Sequence, residues 1–245
     1  MHSPDSPRPP GARSALVSGL AALLTLIGFV SALPARAAVR EPVLLISGFD
    51  AQRTSLDGFA SWLRSEGDTV YTMQLPGSPP GTTAIKEAAA VVASAVTRIR
   101  GATGASRVDI VAHSEGGLAG RYYVKYLRGL DRVATFVDVG TPNYGVVVAV
   151  LCAAIWQGCA DMVPDSAFLN ELNAGDPTPG TIPYFHLFSD NGNEEKVSLP
   201  GATNASVQSF CPGRVVDHAK EFDDMAMRRL ISSALHGGPL TTDCS

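Results

Sequence analysis

Residues 107–116 read Arg107-Val108-Asp109-Ile110-Val111-Ala112-His113-Ser114-Glu115-Gly116. The first five include three β-branched aliphatics and read as a short buried strand. The stretch that follows, Gly116-Gly117-Leu118-Ala119-Gly120-Arg121-Tyr122-Tyr123-Val124, reads as the start of a closely packed helix. A chain that turns from strand to helix at Ser114 forces strained dihedrals on that serine. Small residues two before and two after it avoid the clashes, and Ala112 and Gly116 stand there. This is the nucleophile-elbow pattern, with alanine where glycine is more usual.

On either side of the elbow, strand-like and helix-like segments alternate without an internal repeat. Residues 42–47 form a continuous apolar run ending at Gly48, and 69–73 and 133–139 are further strands. Phe59, Trp62 and Leu63 have helical spacing within 56–65, and the alanine- and valine-rich residues 83–100 predict a second helix. Residues 182–189 and 205–210 predict two last strands, and 221–235 a closing helix. Continuous apolar strands separated by helices imply an α/β fold, a mostly parallel sheet with helices on both faces. In such sheets the carboxyl ends of the strands carry the function.

The beginning of the chain has a different character. Arg8 and Arg13 precede an apolar run over residues 15–33, followed by Pro34-Ala35-Arg36-Ala37-Ala38. A basic start, an apolar middle and a small-x-small end predict a secretory signal peptide over 1–37, cleaved after Ala37. The competing reading is a retained membrane anchor, since the run could nearly span a bilayer. Residues 38–245 then suit one catalytic domain of ordinary size. The whole chain carries a net charge of −4, and residues 1–37 hold three arginines against one aspartate, leaving the remainder at −6. That balance gives no electrostatic footprint for nucleic acid or anionic lipid. It suits a neutral substrate.

Cys152, Cys159, Cys211 and Cys244 all follow the leader. In an exported protein an even count suggests two disulfides, and the spacing matches no zinc pattern, so no metal is expected. Of three pairings, the short loop Cys152–Cys159 and the long one Cys211–Cys244 are the expected ones. Residues 146–156 are almost wholly apolar and follow Gly140-Thr141-Pro142-Asn143-Tyr144-Gly145 at a strand end. A core helix is one reading. The other makes residues 146–173 a lid or the wall of an acyl pocket.

A serine hydroxyl needs a histidine to take its proton, and the histidine needs a carboxylate to hold its tautomer. In elbow enzymes these follow in the order serine, acid, histidine. His186 lies inside a strand and should point into packed layers, whereas His218 follows the last strand in Cys211-Pro212-Gly213-Arg214-Val215-Val216-Asp217-His218. His218 is therefore the expected base. The acid should follow the strand ending near Ser189, where Asp190, Glu194 and Glu195 are equally placed. An oxyanion hole requires the amide of Glu115, after the nucleophile, and a second amide from Ser47-Gly48-Phe49-Asp50, expected at Phe49.

With these residues assembled, the chain resembles the small secreted bacterial lipases of the α/β-hydrolase superfamily, the class-2 lipase group. Val43-Leu44-Leu45-Ile46-Ser47-Gly48-Phe49, the elbow, Gly140-Thr141-Pro142 and the Cys211–His218 loop carry the resemblance over nearly all of residues 42–245. Gly201-Ala202-Thr203-Asn204, followed by the His218 loop, is the part most specific to this group. The resemblance implies a hydrolase of carboxylic esters that needs no cofactor, with Ser114 and His218 in the catalytic roles. Two departures stand out. Ser47-Gly48 replaces the group's usual His-Gly. The group's acid is an aspartate three residues before a valine, and measured back from Val197 that position is Glu194, with Glu195 and Asp190 still open.

The leading expectation is thus a secreted serine esterase or lipase working through an acyl-enzyme on Ser114. It would act on neutral ester or lipid, touch a lipid interface transiently, and require neither nucleic acid nor an obligate protein partner. An acyltransferase using the same intermediate, or a non-catalytic binding protein on a hydrolase scaffold, are the alternatives.

Overall fold

A computed structural model describes residues 40–51, 53–192 and 196–245. The expected leader, 1–37, and the candidate acids Glu194 and Glu195 lie outside the described residues. Six strands, β1 (Val43–Ile46), β2 (Val70–Met73), β3 (Val108–His113), β4 (Val133–Val139), β5 (Tyr184–Phe188) and β6 (Thr203–Ser206), form one sheet in the order β2-β1-β3-β4-β5-β6. Every neighbouring pair is parallel.

Alternation along the strands divides the core in two, because successive side chains point to opposite faces. Leu44, Ile46, Ile110, Ala112 and Phe136 face one side, where they meet α2 (Ile85–Thr103) and α3 (Glu115–Tyr126). Val43, Leu45, Val111, Val137 and Val139 face the other, against α1 (Arg53–Ser65) and α7 (Met225–Leu235). The helices answer with apolar stripes at helical spacing: Ile85, Ala88, Ala89, Val92, Val96 and Ile99 on α2, and Leu56, Phe59, Ala60 and Leu63 on α1. Each large aliphatic side chain buried this way stabilises the fold by about 1.5–3 kcal/mol.

Three expected segments differ. The strand expected over 205–210 is β6 at Thr203–Ser206 followed by the short helix α6 (Val207–Phe210), because Ser206 Oγ accepts the Ser209 amide at 3.1 Å and caps a turn. The closing helix expected from 221 begins at Met225, where Asp224 Oδ1 accepts the Met227 amide at 2.9 Å. Residues 146–156 are no core helix. They contain a 3-10 turn at Val147–Leu151 whose one buried residue is Ala149. Two short helices follow, α4 (Gln157–Met162) and α5 (Ala167–Asn173). Both expected disulfides, Cys152–Cys159 and Cys211–Cys244, are present. Among the described residues no helix is long and apolar enough to cross a membrane.

Candidate active site

The chain leaves β1 through α1 for β2 at one edge, and reaches β3 on the far side of β1 only after α2. Neighbouring β1 and β3 therefore send their connections in opposite directions, and a crevice opens at their carboxyl ends. Ser47 to Phe49 leave β1 there, Ser114 leaves β3, Gly140 leaves β4 and Ser189 leaves β5.

Ser114 has φ 55° and ψ −127°, a left-handed-side conformation that a non-glycine residue adopts only under constraint. Its neighbours supply that constraint. Ser114 N donates to Val139 O at 2.9 Å, and Thr141 Oγ1 donates to Ser114 O at 3.0 Å. The strained turn aims the hydroxyl at His218, whose Nε2 lies 2.9 Å from Ser114 Oγ. His218 begins a 3-10 turn, His218–Lys220.

A carboxylate outside the sequence expectation meets this histidine. Glu221 is fully buried, and its Oε2 lies 3.3 Å from His218 Nδ1 and 3.2 Å from His113 Nε2. Its Oε1 accepts the Ser189 amide at 3.1 Å. Burial alone would push the Glu221 pKa up. Hydrogen bonds from His113 and His218, with their charge, outweigh it, and the net shift is downward. Asp190, one of the expected acids, instead accepts Ser206 Oγ at 3.0 Å on an exposed edge. His186 is buried and paired with Asp138, away from the serine.

The loop after β1 packs against the elbow, bringing the Phe49 and Glu115 backbones to the same side of the sheet. The Phe49 ring also meets Trp156, with centroids 5.7 Å apart, which ties this loop to the segment before α4. The Glu115 side chain points away into the protein. Burial, reinforced by the charge of Asp161, pushes its pKa up to about 9, so it is neutral at pH 7.

Two cavities meet at Ser114. One, about 390 Å³, is lined by Phe49, Pro142, Val146, Ala149, Leu151 and Met162 and is mostly apolar. The other, about 250 Å³, is bounded by Asp50, Thr54, Ser55, Lys220, Phe222 and Asp223 and is more polar at its rim. The wall containing Pro142 is held from below: Arg121, fully buried, donates to Asn143 Oδ1 at 2.9 Å and to Asn173 Oδ1 at 3.0 Å.

Ligand atoms of His113, His218 and Glu221 lie within 4.8 Å of one another, close enough to consider a metal. The two imidazoles, however, stack with centroids 4.7 Å apart and planes inclined by 29°. Their in-plane lone pairs run side by side and do not converge on a point about 2.0–2.1 Å from both nitrogens, as zinc would require. Hydrogen bonds to one shared carboxylate fit this arrangement better.

A parallel sheet with an elbow serine at its switch point is the architecture of the α/β hydrolases. The profile of the family Lipase (class 2) matches residues 40–198, and the chain belongs to that family. A triacylglycerol lipase of Pseudarthrobacter phenanthrenivorans is 35% identical over 117 residues, 44% of this chain and 35% of the relative. The match thus spans about a third of the curated relative. Among solved structures, Aspergillus fumigatus lipase B superposes with a TM-score of 0.70 at 19% identity, covering 84% of this chain and 54% of that one. A mature Bacillus licheniformis lipase does so with a TM-score of 0.58 at 17% identity, covering 68% and 82%.

Proposed function

We propose that this protein is a serine hydrolase of carboxylic esters, of the triacylglycerol lipase or carboxylesterase type. The observation that carries the reading is the 2.9 Å contact between His218 Nε2 and a strained Ser114 hydroxyl at the junction of two cavities. His218 takes the proton from Ser114 Oγ as the oxygen attacks the ester carbonyl. The amides of Phe49 and Glu115 receive the negative charge of the tetrahedral intermediate, each contributing on the order of 3 kcal/mol. His218 returns the proton to the leaving alcohol, and water then releases the acid from Ser114 by the same route. The family pattern offers Glu194 as the carboxylate behind His218.

The apolar cavity takes the acyl chain, and the cavity beside Lys220 and Asp223 the alcohol. Val148 and Leu151 border the acyl cavity, and together with the exposed Val147, Val150 and Ile155 they give transient contact with a lipid interface. Two disulfides suit an oxidising compartment, in keeping with export directed by residues 1–37 and secretion of 38–245. Hydrolysis of a nitrophenyl ester should disappear in Ser114→Ala. Retained hydrolysis by that variant would refute the reading.

A further inference from the structure

We propose that the cavity between Ser114 and the start of α1 is a site for a polyol. The enzyme then favours esters whose alcohol keeps free hydroxyls, monoacylglycerols ahead of triacylglycerols. The inference rests on the serine-hydrolase reading and names the alcohol for it. Ser47 marks the site. Its amide donates to Met73 O at 3.1 Å, which continues the ladder between β1 and β2 by one residue. Alternation therefore sets its side chain on the face of Val43 and Leu45, where Leu56 and Phe222 also border the cavity. Ser47 is 2% exposed, and its buried hydroxyl has no hydrogen-bond partner among the described residues. A buried hydroxyl without a partner disfavours the folded state, and a substrate hydroxyl in the cavity supplies that partner.

The rest of the wall offers hydroxyls both kinds of partner. Ser55 Oγ donates to Asp223 Oδ1 at 2.7 Å, and Lys220 Nζ donates to Asp223 Oδ2 at 3.1 Å. The start of α1 is thus tied to the segment after His218, and Asp223 is held at the cavity. Asp50 borders the same cavity, its amide fixed by Pro80 O at 2.9 Å, and so does Thr54. The carboxylates accept from hydroxyls, the Lys220 ammonium donates to them, and Ser47 and Thr54 do either. Two carboxylates beside one ammonium disfavour an anionic headgroup and leave a neutral polyol as the fitting occupant. At about 250 Å³ the cavity is below the size of a drug-sized pocket and suits a small alcohol. A departing diacylglycerol would set two apolar chains against these polar groups and give none of them a partner. Glycerol, departing from a monoacylglycerol, brings two further hydroxyls to them.

The test compares dissolved butanoyl esters, which share one acyl-enzyme, so that kcat/KM isolates the alcohol. Glycerol monobutyrate should exceed both its di-O-methyl ether and tributyrin by about tenfold or more in kcat/KM. The methyl caps keep the leaving group's inductive effect and remove its donors. Ser47→Ala should cut the ratio of monobutyrate to ether severalfold. Thr54→Val, at an exposed position and close in volume, should also lower it, and serves as the test if the Ser47 variant does not fold. A wild-type ratio near one, or a ratio kept in both folded variants, would overturn the proposal. Turnover of none of the three esters marks failure of the hydrolase reading instead, and the polyol site is then read by binding. In an NMR titration 1-O-butylglycerol should bind the wild type more tightly than its di-O-methyl ether and lose that margin in Ser47→Ala. Equal binding of the two ethers to the wild type would overturn the site whether or not any ester is hydrolysed.

Discussion

Gly48 and Ser114 approach so closely that a Cβ on Gly48 would stand 2.7 Å from Ser114 Cβ and 3.2 Å from His113 O. Real Cβ atoms do not come that near, so a side chain at 48 would drive the loop after β1 away from the elbow. The Phe49 amide would move with it. Gly48→Ala should therefore lower kcat on a soluble ester about tenfold or more, with a smaller change in KM, since loss of one oxyanion donor costs about 10²–10³ in kcat. Unchanged kcat in this variant would remove Phe49 from the oxyanion hole.

Glu115 places a pH signature on stability. Its folded pKa is pushed to about 9 from an ordinary 4.5, chiefly by burial. Below pH 4.5 both states hold the proton and the group is neutral to folding. Between about 4.5 and 9 the unfolded chain ionises while the folded one does not, so stability falls as pH rises, by up to about 1.4 kcal/mol per pH unit. Glu115→Gln keeps the amide donor and removes this slope. Urea unfolding at pH 5 and pH 9 should show the variant gaining on the wild type as pH rises, and parallel profiles would contradict it.

Ile155 is 73% exposed and does not line the acyl cavity, whereas Leu151, 82% exposed, does. Ile155→Asp consequently tests interface contact without touching the substrate site. Its rate on dispersed triacylglycerol should fall severalfold, while hydrolysis of a dissolved short-chain ester stays as in the wild type. An equal effect on both substrates would argue against an interfacial role.

The Cys211–Cys244 bridge closes a loop with a sequence separation of 33 and pins the tail beside the His218 segment, where Arg214 Nη1 donates to Cys244 O at 2.8 Å. On the chain-entropy account such a loop is worth about 3–4 kcal/mol, against about 2 kcal/mol for the seven-residue separation of Cys152–Cys159. Cys244→Ser should lower Tm more than Cys152→Ser. The reverse order in calorimetry would refute the assignment.

What the sequence revealed followed from how local each constraint is. The elbow is written in consecutive residues, because Ser114 at positive φ demands small neighbours within two positions, and the strand before it is continuous and apolar. The sheet followed from similar runs. The contact between Glu221 and His218 had no such signal. It depends on a 3-10 turn where helical periodicity suggested the start of α7, and on three partners, His113, Gly140 and Ser189, from distant strands. A carboxylate three residues after the histidine is its one local trace in the sequence. The apolar run 146–156 misled for the opposite reason: its composition matched a core helix, yet its side chains border a cavity and solvent.

The central claim is that Ser114 is a nucleophile activated by His218. Intact-protein mass spectrometry after exposure to a fluorophosphonate tests it most directly. The account predicts one adduct per chain, mapped to Ser114, formed in the wild type and lost or strongly slowed in a folded His218→Ala. Well-folded wild-type protein that stays unlabelled, or is labelled elsewhere, would contradict it.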